Sequence, residues 1–341
     1  MHPPRAFFPP HLQTPRAVGG WLLLCCALVV CMVVLGGVTR LAGAGLSMVE
    51  WRPLLGAVPP LNAEDWGAVF LQYQQFPEYR LRPVDLAGFK LIFWIEYAHR
   101  LLGRAVALVF LIPFLLFLMR RRLPAGFALQ LALIFLLGAL QGVLGWFMVQ
   151  SGLVDNPRVS PFRLSAHLAL ALALFVWLWW LALHCLRPPA PAVWSARACF
   201  GLAATAVVFA TAAYAGMVAG SRAGFVHNTF PLMGGHLLPP DAFAMAPWWR
   251  NFADNAVAIQ FTHRAMALLS VVMVTAWAAV ARRRVAAVTV VVMAAVQAAL
   301  GIATLVHAVP TPLAAAHQGC ALLLLGALVY SVHREVFARG V

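Results

Sequence analysis

Four histidines, His99, His167, His263 and His317, fall at matching places in long apolar stretches of this chain. An ionisable side chain at membrane depth is costly and needs a partner. Neutral imidazoles from two facing helices can supply both axial positions of a haem iron. A zinc or copper ion usually gathers three or four close ligands, often with cysteine, so two histidines per half suit a planar macrocycle better. For a single such histidine, hydrogen-bonded packing would be the stronger reading; four at matched positions favour ligation. Arginine pairs bidentately with carboxylates, which makes Arg40, Arg100, Arg104 and Arg264 candidate clamps for haem propionates, along with Arg163 and Arg222. Snorkelling to the membrane surface competes with that role, most strongly at Arg163 and Arg222.

Glu96 precedes His99 by three residues and projects from the same helix face one turn away. The residue in the corresponding place before His263 is Gln260. A carboxylate beside one site and a neutral amide beside the other suggests that one site reacts while the other carries electrons. The competing reading of Glu96 is that it orients a histidine or pairs with Arg100. A di-iron carboxylate site would need a second E-x-x-H pair, which Gln260 removes.

These residues require membrane-spanning helices to position them. The chain has 341 residues, of which 63% are hydrophobic and 10% charged, with a mean hydropathy of +0.86; its solvent is lipid. A spanning helix needs ~20 mostly apolar residues, and such windows lie at 18–38, 91–119, 127–149, 164–186, 198–220, 257–280, 286–307 and 313–332. The first is too long for a signal-peptide core and has no clean small-residue cleavage site. Arg5, Arg16, Arg120 to Arg122, Arg187, Arg197, Arg282 to Arg284, Arg334 and Arg339 all fall on the side of the termini. The positive-inside rule therefore predicts cytoplasmic termini. Half of the 24 basic residues belong to these clusters, so the charge of +14 reflects orientation and not nucleic-acid binding. No cysteine lies in a predicted outer loop and no C-x-x-C motif exists, which predicts no structural disulfide.

The sequence repeats. Ile95-Glu96-Tyr97-Ala98-His99-Arg100 registers without a gap on Ile259-Gln260-Phe261-Thr262-His263-Arg264, 164 positions on. Ala139-Leu140-Gln141-Gly142-Val143-Leu144-Gly145 answers Ala295-Val296-Gln297-Ala298-Ala299-Leu300-Gly301, and Ser165-Ala166-His167 answers Ala315-Ala316-His317. The expected fold is an all-α integral membrane protein with eight transmembrane helices as two repeated four-helix bundles. It divides into a tail at 1–17, an N-terminal half at 18–190 and a C-terminal half at 191–341. The histidines lie in the outer half of the bilayer, with His99 and His263 on the order of 13 Å below the helix entry. Two long outer loops, 39–90 and 221–256, read as structured lids. The first carries Trp51, Trp66, Tyr73, Phe76 and Tyr79, and the second Trp248 and Trp249. Gly138-x-x-x-Gly142 and Gly216-x-x-x-Gly220 predict close helix packing. His2, His11, His184, His227, His236, His307 and His333 are expected to be solvated.

Gly36-Gly37-Val38-Thr39-Arg40-Leu41, Gly45-Leu46-Ser47-Met48, Tyr73-Gln74-Gln75-Phe76-Pro77-Glu78-Tyr79, Phe89-Lys90 and Glu96-Tyr97-Ala98-His99-Arg100 closely resemble haem A synthases of the mitochondrial and alphaproteobacterial branch, over about residues 20–335. The resemblance implies oxidation of a methyl group of haem O to a formyl group in two successive steps, giving haem A for cytochrome oxidase. It further implies that His99 and His167 receive haem O and that His263 and His317 hold a haem B cofactor. The family's essential glutamate maps onto Glu96. The outer-loop cysteine pair of the Gram-positive branch has no counterpart here. A cation formed at the ring-conjugated methyl would be stabilised by a carboxylate at low dielectric, which could instead take a proton from incoming water. The implied setting is the cytoplasmic membrane, with haem O synthase as donor, an unidentified electron acceptor and a homo-oligomeric state. A two-haem electron carrier, needing neither Glu96 nor exchangeable haem, is the competing class. A repeat-built transporter is a third.

Overall fold

The computed structural model of the chain describes residues 16–49, 56, 58–124, 126–152, 159–187 and 191–337. Arg5, His2, His11, Trp51 and Arg339 lie outside the described residues. Eight helices are long and apolar enough to cross a membrane: α1 (Arg16–Leu41), α4 (Leu86–Met119), α5 (Phe127–Gly152), α6 (Pro161–Leu186), α7 (Ala196–Gly220), α9 (Ala256–Val280), α10 (Arg284–Val306) and α11 (Thr311–Val336). Short helices α2 (Ala63–Gln74) and α3 (Pro77–Leu81) lie in the first long loop, and α8 (Asn251–Asp254) in the second.

Three of the spanning helices, α4, α7 and α9, open on side-chain caps. Asp85, Ser195 and Asn255 accept hydrogen bonds from Gly88 N, Ala198 N and Val257 N, satisfying amides that the first turn of a helix leaves unpaired. Proline opens α6 and lies in the first turn of α11, where its missing N–H costs nothing.

α1 packs on α4 and α6, while α7 packs on α9 and α11. The two sets of four join where α6 meets α7, α1 meets α11, and α6 meets α11. Close packing and satisfied polar groups hold such helices together, because lipid is as apolar as leucine. Trp21 donates its indole N–H to Val109 O at 2.8 Å and packs on Phe110 and Phe117. Trp179 donates to Gly326 O at 3.0 Å across the seam between the halves. The Gly216/Gly220 pair behaves as expected. A Cβ at either position would fall 2.4 Å or 2.5 Å from the Cα atoms of Ser165 and Pro161, so the backbones of α6 and α7 touch there. The Gly138/Gly142 pair does not, since among the described residues nothing outside its own helix lies within 4 Å of a Cβ at either position.

Three further expectations, that His184, His227 and His333 are solvated, are corrected. His333 is 1% exposed, and neither ring nitrogen has a hydrogen-bond partner. It is enclosed by Trp180, Phe337 and the half-buried His184, with ring centroids 4.8, 4.6 and 6.2 Å away. These residues meet because α6 and α11 cross at the seam, which no reading of one helix at a time would reveal. His227 is half-buried with Nε2 shielded.

The long loops do form structured caps, by different means. In the first, Trp66 and Tyr73 of α2 make a buried aromatic cluster with Phe89, Phe93 and Tyr97 of α4, and Tyr73 stacks on Phe89 at 5.0 Å. In the second, Asn251 exchanges hydrogen bonds with Met245 N and O and donates to Trp248 O. Asn255 donates to Asp241 O and Ala242 O. Trp248 and Trp249 remain 71% and 58% exposed, as suits aromatics at a membrane surface.

Candidate haem sites

The four histidines come together as two pairs. His99 on α4 lies within electrostatic range of His167 on α6, and His263 on α9 within range of His317 on α11. Glycines make room for the rings. A Cβ at Gly36 of α1 would sit 3.1 Å from His99 Nε2; at Gly145 of α5 it would sit 3.3 Å from the His167 ring, and at Gly301 of α10, 2.8 Å from that of His317. Gly145 and Gly301 occupy matching places in the two sequence motifs. α1 also reaches the second pair, for Gly37 lies directly under Gln318, the neighbour of His317.

Matched glutamines touch the second histidine of each pair, by different atoms: Gln141 through its side chain to the His167 main chain, Gln297 through its main-chain carbonyl to the His317 ring. Gln141 donates to His167 O at 2.9 Å, and Gln297 O lies 3.2 Å from His317 Nδ1. A histidine tied through Nδ1 to a carbonyl has Nε2 as its metal-binding nitrogen, and at His317 that nitrogen lies 3.5 Å from the Gln297 side-chain amide. His167 Nδ1 and His263 Nδ1 are buried with no hydrogen-bond partner, a cost of about 1–3 kcal/mol each unless a ligand offsets it. Among the described residues no group of three or more His, Cys, Asp or Glu could hold a bare metal ion. Paired imidazoles with glycine-lined clearance and unpartnered nitrogens fit a haem better.

Glu96 is 2% exposed and fully engaged. Its Oε2 accepts from Ser47 N at 2.8 Å, Ser47 Oγ at 2.6 Å and Met48 N at 2.9 Å. Its Oε1 accepts from Arg100 Nε at 3.0 Å, and Arg100 Nη2 also donates to Met48 O at 2.9 Å. The Glu96–Arg100 ion pair thus ties the start of the first loop to α4. In the second half the same positions do the same work with the polarity inverted. Gln260, 3% exposed, donates through Nε2 to Ala223 O at 2.8 Å and His227 O at 3.2 Å, and Arg264 Nη2 reaches His227 O and Gln260 Oε1. The carboxylate gathers amide N–H groups; the carboxamide gathers carbonyls.

The remaining arginines diverge. Arg40 donates to Ala219 O of α7 at 2.9 Å, bridging the halves, and Arg104 lies one turn along α4 from Arg100. Arg163 covers the Phe147 ring at 4.2 Å. Arg222, in a left-handed conformation after α7, faces Glu78 of α3 together with Arg40 and Arg82. Burial raises the Glu78 carboxyl above its usual range, while those three arginines pull it back.

Sequence reading assigned no role to Ser47, Met48, Gln141, Gln297, Gly36 or His227. Gln141 and Gln297 were detectable, since they recur at one place in both halves. The Ser47 and Met48 contacts bring together segments 49 and 48 residues apart and had no local signal.

The model of the COX15-CtaA family, described as cytochrome oxidase assembly protein, matches residues 19–329. A protein of Nitrosospira multiformis named haem A synthase is 48% identical over 335 residues, covering 94% of each chain. Proteins of the same name from Nitrosomonas eutropha and Parvibaculum lavamentivorans are each 42% identical, covering 96% and 94% of both chains. With relatives of this similarity over nearly its full length, and a family model spanning all eight membrane helices, this chain belongs to the COX15-CtaA family of cytochrome oxidase assembly proteins, to which haem A synthases belong.

Proposed function

We propose that this membrane protein is a haem A synthase, oxidising a methyl group of haem O to a formyl group. The observation that carries the reading is the pairing of four histidines into two similar sites, of which only one adjoins a buried carboxylate. His99 and His167 hold the substrate macrocycle in the N-terminal half. His263 and His317 hold a haem B in the C-terminal half, where it supplies a one-electron carrier close to the substrate. Gln297 orients the His317 ring, while Gln141 braces the main chain at His167. The two halves form a structural repeat, with both termini on the cytoplasmic side and the lids on the opposite face.

Glu96 acts by charge and position. Both of its oxygens already accept hydrogen bonds, so the reading favours a fixed anion over a proton acceptor. Arg100 and the Ser47 and Met48 amides hold it as a carboxylate beside His99, where it stabilises positive charge developing at the reacting methyl. The same contacts make the lid and the charge one unit, so that closing the first loop completes the site.

Pyridine haemochrome analysis of the purified protein tests the assignment. Haem B together with haem O or haem A is expected. Haem B alone would favour an electron carrier, and absence of haem would remove both readings.

A further inference from the structure

The N-terminal half is open where the C-terminal half is closed. α10 lies along both α9 and α11, whereas α5, in the corresponding place, meets α4 and α6 over much less of its length. Gly138, Gly142 and Gly145 recur on one face of α5. Gly145 sits at the His167 ring, but around Gly138 and Gly142 the space is empty to 4 Å, and both are exposed. The matching residues of α10 are Ala294, Ala298 and Gly301; Ala294 is buried, and Gly301 sits at the His317 ring. The open face therefore begins at a candidate iron ligand and runs ~10 Å along the helix at 1.5 Å per residue.

Lipid exposure by itself does not account for this. α4, α5 and α10 all present large apolar side chains outward, such as Leu108, Leu136 and Val292. Of these three helices only α5 leaves glycines bare, on the face that brings Gly145 to the His167 ring, although Phe127, Leu131 and Ile134 further along that face are buried. Small residues in membrane helices normally let another backbone approach, and no described element uses this pair. Room beside a macrocycle site has one chemical use in this reaction: haem O differs from haem B in carrying a long isoprenoid chain.

Building on the assignment of the substrate to the N-terminal half, we propose that the open face of α5 at Gly138 and Gly142 is the berth for the isoprenoid chain of haem O and selects that haem over haem B. The chain gains little by leaving lipid for an apolar groove, since both are equally apolar. Selection works by clearance: the closed packing around α10 excludes the chain, and the open face of α5 admits it. This division also keeps the substrate out of the cofactor site.

The test is a titration of the full-length protein in lipid nanodiscs, its C-terminal site loaded, with haem O and with haem B, followed by absorbance. Gly142→Leu and Gly138→Leu should weaken haem O binding about tenfold, equivalent to about 1.4 kcal/mol, and leave haem B binding at the N-terminal site unchanged. Gly142→Ala should give a smaller shift in the same direction and guards against misfolding of the larger variants. Ala298→Leu should leave haem O binding unaltered. Unchanged haem O affinity in the glycine variants would overturn the proposal, as would equal weakening of both haems, which would mean damage to the ring site. If His99→Ala leaves wild-type haem O uptake intact, the assignment of the substrate to this half fails, and the berth with it.

Discussion

The two halves place the same parts in the same order and make different use of them. Each has a histidine after a glutamate or glutamine, an arginine beside it, and a second histidine supported by a glutamine and a glycine. In the C-terminal half α10 is packed on both sides and its loop is tied down by asparagine side chains; in the N-terminal half α5 stands freer, and the loop rests on aromatic rings and is tied at its start to Glu96 and Arg100. A closed bundle suits a resident group, and a more open bundle suits one that enters and leaves. On the proposed assignment, the difference teaches that two halves with matched histidines can divide labour through packing and one charge.

The largest effect should come from removing a ligand. His263→Ala or His317→Ala is expected to lower bound haem B and abolish haem A formation, while His167→Ala should lose the exchangeable haem and keep the resident one. Haem content of the purified variants checks both; normal haem B in the first two would break the assignment of the halves.

Next comes the charge that separates the halves. Glu96→Gln keeps the volume and an acceptor for Ser47, but removes the ion pair with Arg100. Conversion should fall by about 10²–10³, or ~3–4 kcal/mol, with haem O accumulating and haem occupancy retained. Haem extracts of expressing cells give the answer. Wild-type haem A yield would take Glu96 out of the reaction, and loss of protein along with haem would reduce it to a lid anchor. The reciprocal change sharpens the comparison. Gln260→Glu turns a carboxylate on the Ala223 and His227 carbonyls, at a cost of about 1–3 kcal/mol, so thermal unfolding should come earlier even though Arg264 stays beside it.

Packing should respond asymmetrically as well. Gly216→Ala forces backbone apart at Ser165 and should destabilise the seam between the halves by about 1–3 kcal/mol, whereas Gly138→Ala should be neutral; thermal unfolding in detergent compares the two. The smallest effect concerns Glu78. Its carboxyl is raised in the folded lid, so the folded form holds its proton more tightly than the unfolded form does. That contribution is fully present at acidic pH and is lost as pH rises through the folded value. Proteolysis of the first loop should quicken from mildly acidic to neutral pH, and Glu78→Gln should flatten the dependence.

Composition and periodicity alone determined the eight spans, their order and the two long loops, because lipid obliges each crossing segment to satisfy its own backbone and to be apolar throughout. The repeat likewise determined which histidines correspond, since matched positions on matched helices need no knowledge of packing. Tertiary structure decided what lies beside them. Glu96 and Gln260 read as a difference in charge; only the folded loops revealed that one collects amides and the other carbonyls. Gly138/Gly142 and Gly216/Gly220 share one spacing, yet one pair is bare and the other touches backbone, because a motif states what a helix permits and its neighbours decide whether the space is used. His333 read as a solvated residue near a terminus, but the crossing of α6 and α11 buries it. Such outcomes depend on contacts between segments far apart in the chain, where no local pattern carries the information.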